Sequence, residues 1–221
     1  MGFLKRLFGK IETAVKKEFT DEEHEQDYEL KSKGLENVLG EMHNFVGHAI
    51  IPFAIGGAVD MYYFTNHIEG TGFATMELLD PDGNGSKKNR LGTYELLAFT
   101  KHEINENKES STPFNLIERK ACGFLTSIGM YSPQAVLNPK DTIEVPNGEN
   151  EENTCLIFDV YEPDGKKFSI GNREHHLLLC IEIFRDEMDF ARQNGSDALF
   201  GILKEKGVYP YSDMERASVI E

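Results

Sequence analysis

The stretch His175-His-Leu-Leu-Leu-Cys-Ile-Glu-Ile-Phe184 decides how the rest of the chain is read. Leu177 to Ile181 are apolar without alternation. A half-covered strand alternates, so this run reads as a strand buried on both faces, at the centre of a sheet. Directly after it, Arg185–Gln193 reads as a helix closed by Asn194-Gly195. Ser196 caps a last helix that ends at Lys206-Gly207, and residues 208–221 read as an extended tail. Upstream, Cys155–Tyr161 is the second clear strand, and Glu162-Pro-Asp-Gly165 is the turn that follows it.

Working back towards the N-terminus, Pro146–Asn153 reads as an exposed acidic loop after a mixed connection with one short strand. Ser111 or Thr112, with Pro113 in the first turn, opens a helix to about Met130 that should bury Leu116, Ile117, Cys122 and Leu125. The segment Glu103–Ser111 is polar and loop-like, and Tyr94–Thr100 is a strand. Ala58–Thr65 reads as a strand with Gly72–Leu79 as its hairpin mate, and Asp80–Ser86 as a turn. Ala49–Ile55 contains Pro52 and reads as an extended edge segment. Thr20-Asp-Glu-Glu23 is a capping box that opens a polar helix towards Gly34. The spacing of Leu35, Val38, Leu39, Met42, Phe45 and Val46 predicts a second helix ending near Gly47.

The chain has 221 residues with 23 Lys+Arg against 38 Asp+Glu, a net charge of −15. The charge is uneven: residues 1–19 carry +3 and the remainder −18. An acidic body repels phosphate backbones, which argues against nucleic-acid binding and for a basic protein partner. No run approaches the roughly 18–20 apolar residues of a membrane span. Cys122, Cys155 and Cys180 are widely spaced in apolar stretches and form no CxxC pair, so they fit small core residues of a reducing cytoplasm.

Residues 1–19 place Leu4, Leu7, Phe8, Ile11 and Val15 at helical spacing with Lys5, Lys10, Lys16 and Lys17 between them. This reads as a basic amphipathic helix that packs on the acidic body or makes peripheral membrane contact. It lacks a signal peptide's unbroken apolar core and a myristoylation site. Residues 20–221 read as a single domain.

Motifs for chemistry are weak. Asp80-Pro-Asp-Gly-Asn-Gly85 opens like a calcium loop, but Leu91 stands where a bidentate Glu is needed. His175 and His176 are adjacent in a strand and point to opposite faces. Ser127 lacks the flanking glycine of a nucleophile elbow. The pairs Glu151-Glu152 and Glu187/Asp189 have the residue types for acid–base work, though solvated carboxylates explain them as well. No catalytic residue, metal ligand or cofactor is assigned.

Several pieces occur in a specific order: Val59-Asp-Met-Tyr-Tyr63, Gly72-Phe-Ala-Thr75, Tyr94-Glu-Leu-Leu97, and the His176–Phe184 strand leading into Asp186-Glu-Met-Asp-Phe-Ala-Arg192. Gly207-Val-Tyr-Pro210 and Arg216 close the series. Over about residues 35–221 this resembles the suppressor of fused (SUFU) domain family in its single-domain bacterial form. The resemblance implies an α+β fold, a central mixed β-sheet flanked by helices in an α/β sandwich. It implies protein binding without catalysis or cofactor: animal members take a transcription-factor peptide as an added strand, and bacterial members are associated with polymorphic-toxin loci as immunity proteins. An inhibitor of a basic, nuclease-like toxin would offer carboxylates to the site that grips phosphate. The candidates are Glu103, Glu106 and Glu109 in one loop and Glu149, Glu151 and Glu152 in another. The competing readings are an enzyme with a dispersed metal-dependent hydrolase site and a membrane-surface adaptor acting through residues 1–19.

Overall fold

A capping box opens the first helix. In the computed structural model, which describes residue 17 and residues 19–107, 111–147 and 151–220, the Thr20 hydroxyl accepts from the Glu23 amide and the Glu23 carboxylate accepts from the Thr20 amide. Helix α1 runs Asp21–Leu39. The strands are β1 (Met42–Gly47), β2 (Met61–Phe64), β3 (Thr71–Ala74), β4 (Tyr94–Thr100), β5 (Thr142–Val145), β6 (Thr154–Val160), β7 (Ser169–Ile170), β8 (Arg173–Glu174) and β9 (His176–Ile183). The remaining helices are α2 (Pro113–Tyr131), α3 (Arg185–Asn194) and α4 (Ser196–Glu205).

Seven strands form one sheet in the order β1-β2-β3-β4-β9-β6-β5, and β7-β8 form a separate hairpin. Only β4 and β9 run parallel; every other neighbouring pair is antiparallel. The non-alternating strand is central, as its apolar run predicts. Leu177, Leu179 and Ile181 join a core with Leu35, Val38 and Leu39 of α1 and with Met188, Leu199 and Leu203 of α3 and α4. Leu178 and Cys180 join a second core with Phe114, Phe124, Leu125 and Ile128 of α2. The architecture is a mixed sheet between two helical layers, α+β. It places the loops after β4 and β9, and the β5–β6 connection, at one end of the sheet.

Five sequence readings need correction. No helix covers 35–46: α1 continues through Gly34 to Leu39, and Met42–Gly47 is an edge strand. Met42 and Val46 are four apart, a spacing that a helix and a strand face share, so periodicity could not separate them. Gly34 is no helix end. A Cβ there would sit 2.0 Å from the Ser169 carbonyl, so the glycine lets α1 approach the β7–β8 hairpin. On α2, Leu116 is 52% exposed. It lies nine residues from buried Leu125, which turns it to the opposite face. Ala49–Ile55 is a loop carrying a 3-10 turn at Phe53–Ile55, with a single bridge between Pro52 and Ala58. Finally, Gly195 rather than Ser196 caps α4; the Ser196 hydroxyl donates to the Lys140 carbonyl at 2.6 Å. The expected helix of residues 1–19 lies outside the described residues except at Lys17 and Phe19.

Two buried charges fix the loop between β3 and β4 at the other end of the sheet. Glu95, fully buried in β4, accepts from the Thr75 hydroxyl (2.7 Å) and the Leu79 amide (3.0 Å). Lys31 of α1 donates to the Met76 carbonyl (2.7 Å) and pairs with Asp27 (2.8 Å). A buried carboxylate or ammonium costs far less when its hydrogen bonds are made inside the fold.

Candidate partner-binding surface

Strand direction assembles this surface. The C-terminal ends of parallel β4 and β9 lie together, and antiparallel β6 begins beside the end of β9, with Cys155 opposite Ile183. The loop after β4 and the β5–β6 loop therefore emerge at the same end, two strand spacings or about 10 Å apart. The structure thus brings the two groups of sequence candidates to one end of the sheet. Glu103, Glu106, Glu151 and Glu152 are all exposed there. Glu106 lies 3.9 Å from the His43 ring of β1. The Asn147 amide donates to the Glu152 carbonyl (2.7 Å) and shapes the second loop. Glu109 and Glu149 lie outside the described residues.

The C-terminal tail runs between the two loops, held by Ser212, Asp213 and Glu215, which the sequence did not single out, and by Arg216 and Glu187, whose pairing it did not reveal. The Ser212 amide donates to the Phe99 carbonyl (2.8 Å), and the Ser212 hydroxyl accepts from the Glu182 amide (3.0 Å). Asp213 accepts from the Lys101 amide (2.8 Å), and Glu215 meets His102 at 3.0 Å. Arg216 reaches Glu187, which is fully buried at the start of α3. Glu187 therefore works as a tail anchor, a role that closes it to the acid–base chemistry weighed for it from sequence.

Between the β5–β6 loop and the tail lies a cleft of about 450 Å³, lined among others by Lys120, Glu152, Cys155, Glu182, Arg185 and Met214. Glu182 is buried, and its carboxylate contacts the Lys120 ammonium. Burial pushes the Glu182 carboxyl up, while the Lys120 contact pulls it down. On the rim, Arg185 grips Glu144 at 2.6 Å and holds that carboxyl down at about 2. The signal for Glu182 was present in the sequence: a lone acid inside an apolar strand must find a partner.

Glu41, Glu69 and Glu215 add exposed carboxylates to this end of the sheet. Of the cations beside them, Lys120, Arg185 and Arg216 are engaged with Glu182, Glu144 and Glu187, while exposed Lys101 lies over the Tyr211 ring, 5.1 Å from its centroid. The surface left to a partner is acidic. Among the described residues no three His, Cys, Asp or Glu side chains are grouped so as to hold a metal ion.

The family model for suppressor of fused protein (SUFU) matches residues 93–217, more than half of the chain. The chain belongs to the suppressor of fused family. That span begins just before β4 and takes in Glu95, Glu182, Glu187 and Arg216. Two solved structures share the fold of this SUFU-family chain. One is described as the Sufu-Fu complex: TM-score 0.52 and 14% identity, covering 86% of this chain and 89% of that one. The other is a SUFU homologue from Neisseria gonorrhoeae: TM-score 0.52 and 13% identity, covering 89% of this chain and 98% of that one. No curated protein matches the sequence.

Proposed function

We propose that this SUFU-family chain is a non-catalytic protein-binding domain of the cytoplasm whose acidic sheet end docks on a basic partner. The observation that carries this reading is the surface itself: carboxylates from separate loops face solvent at one end, where they outnumber the cations left outside ion pairs. Family membership supports binding, and the Sufu structure described in complex with Fu shows a SUFU protein holding a protein partner. The most concrete form of the reading is an immunity protein that neutralises a toxin by covering its site. Charge complementarity speeds encounter and sets orientation. Affinity then comes from a few desolvated side chains, for which the cleft beside Glu182 and Met214 offers a seat.

The test is affinity purification of the tagged chain from its own host, with mass spectrometry of what co-purifies. The expected result is one basic protein in roughly equal amount, released by raised salt. Recovery of the chain alone, or of a partner indifferent to salt, would overturn the reading.

A further inference from the structure

The opposite end of the sheet has a different chemistry. The loop between β1 and β2 presents Ile50 at 100%, Ile51 at 56% and Ile55 at 76% exposure. The loop is braced. The Ile55 and Gly57 amides donate to the Pro52 carbonyl at 3.1 and 3.0 Å. Asp60 accepts from the Ala49 amide at 2.8 Å. The Phe53 ring packs so closely on Gly129 of α2 that a Cβ there would meet it at 3.0 Å. Solvent-facing isoleucines on a fixed loop are the mark of an interaction site.

Across a cleft of about 420 Å³, Phe53 faces Lys87 and Lys88 of the β3–β4 loop. Lys87, Lys88 and Arg90 are exposed, and among the described residues none of them makes an ion pair. The three lie within four positions of one loop, in a chain where acids outnumber bases 38 to 23. Glu77, in the same cleft, is pushed up to about 8 by burial and does not neutralise them near pH 7. Lys17 reaches Asp82 of the same loop at 3.1 Å.

We propose that this end is a membrane-contact face, with Ile50, Ile51 and Ile55 entering the headgroup region of an anionic bilayer and Lys87, Lys88 and Arg90 set against its phosphates. Protruding aliphatic side chains beside unpaired cations are what an anionic lipid surface binds. At this end Lys17 pairs with Asp82 and Glu23, and His48 meets Asp60 at 2.8 Å; the carboxylates of the other end do not oppose the contact. The seven residues of β4 hold the ends apart by roughly 24 Å, beyond a Debye length of about 8 Å. The contact is peripheral, since no helix among the described residues is long and apolar enough to cross a membrane.

The test is co-sedimentation of the full chain with phosphatidylcholine vesicles, with and without phosphatidylglycerol. The parent is compared with full-length Ile50→Ser/Ile51→Ser/Ile55→Ser and with Lys87→Glu/Lys88→Glu. All five positions are exposed, so melting temperatures should agree; if the triple variant melts early, Ile50→Ser alone replaces it. The parent is expected to pellet with phosphatidylglycerol vesicles, less as salt rises, and not with phosphatidylcholine alone. Each multiple variant should bind about tenfold or more weakly, at roughly fivefold per cation lost from an anionic surface. A parent that stays in the supernatant overturns the proposal. So do variants that pellet like the parent, which would leave lipid binding to residues 1–16. Concentration-dependent oligomers without lipid binding, lost in the isoleucine variant, would make the face a protein interface and overturn it as well.

Discussion

The Arg216 guanidinium forks onto the Glu187 carboxylate, with Nη2 2.8 Å from Oε2 and Nη1 on Oε1, and so ties the C-terminal tail to the start of α3. The same carboxylate accepts from the Phe184 amide at 2.9 Å and the Val219 amide at 2.8 Å. Glu187 is fully buried, so removing Arg216 strands a charge in the core. Arg216→Ala should cost about 3–5 kcal/mol. Arg216→Lys should cost less, keeping the charge but losing the two-point geometry. Urea unfolding midpoints decide this, and an unchanged midpoint for Arg216→Ala would contradict the anchor.

Glu77 sets a pH dependence. Its folded value is pushed up to about 8 from an ordinary 4.5, first by burial and then by the Glu95 charge. The neutral form is favoured in the fold, so its contribution is fully present below about 4.5 and is lost as pH rises through about 8. Glu77→Gln should therefore match the parent near pH 4 and exceed it by about 1–3 kcal/mol above pH 8. Parallel stability curves for the two proteins across that window would contradict the assignment.

In the cleft of the acidic end, Lys120 compensates Glu182. Lys120 is nearly half exposed, so its loss should cost about 1–3 kcal/mol rather than the full figure for a buried pair. Lys120→Met with Glu182→Gln removes both charges and should recover much of that loss. A double-mutant cycle measures the coupling, and additive costs would show that the two side chains act independently.

Gly34 gives a test with an unusual sign. In an exposed helix, Gly→Ala stabilises by about 0.8–1 kcal/mol. Here the new Cβ would lie 2.0 Å from the Ser169 carbonyl and 2.9 Å from the Phe168 ring. Gly34→Ala should instead destabilise, by about 1–3 kcal/mol. A higher melting temperature for the variant would contradict the close packing of α1 on the hairpin.

Much of the fold was legible in the sequence, wherever pattern and neighbours agree. Leu177–Ile181 has no polar residue to show a solvent face, and it is central. Tyr94–Thr100 appears as a strand over the expected span. The errors fell where local signals carry two meanings. Met42 and Val46 suit either period, and Gly34 serves close approach rather than termination. The two acidic loops could be named from composition, but their meeting at one end depends on the parallel β4–β9 pairing, which no local pattern encodes. Glu187 looked like a spare acid because its partner, Arg216, comes from the far end of the tail.

If the acidic end holds the partner, reversing its charge should release it. The most direct measurement is side-by-side capture from host lysate by the parent and by full-length Glu103→Lys/Glu106→Lys/Glu151→Lys/Glu152→Lys. These four side chains are exposed, so the variant should fold as the parent does. A basic protein should be held by the parent, released by salt, and missing from the variant. The same protein retained in equal amount by both would contradict it.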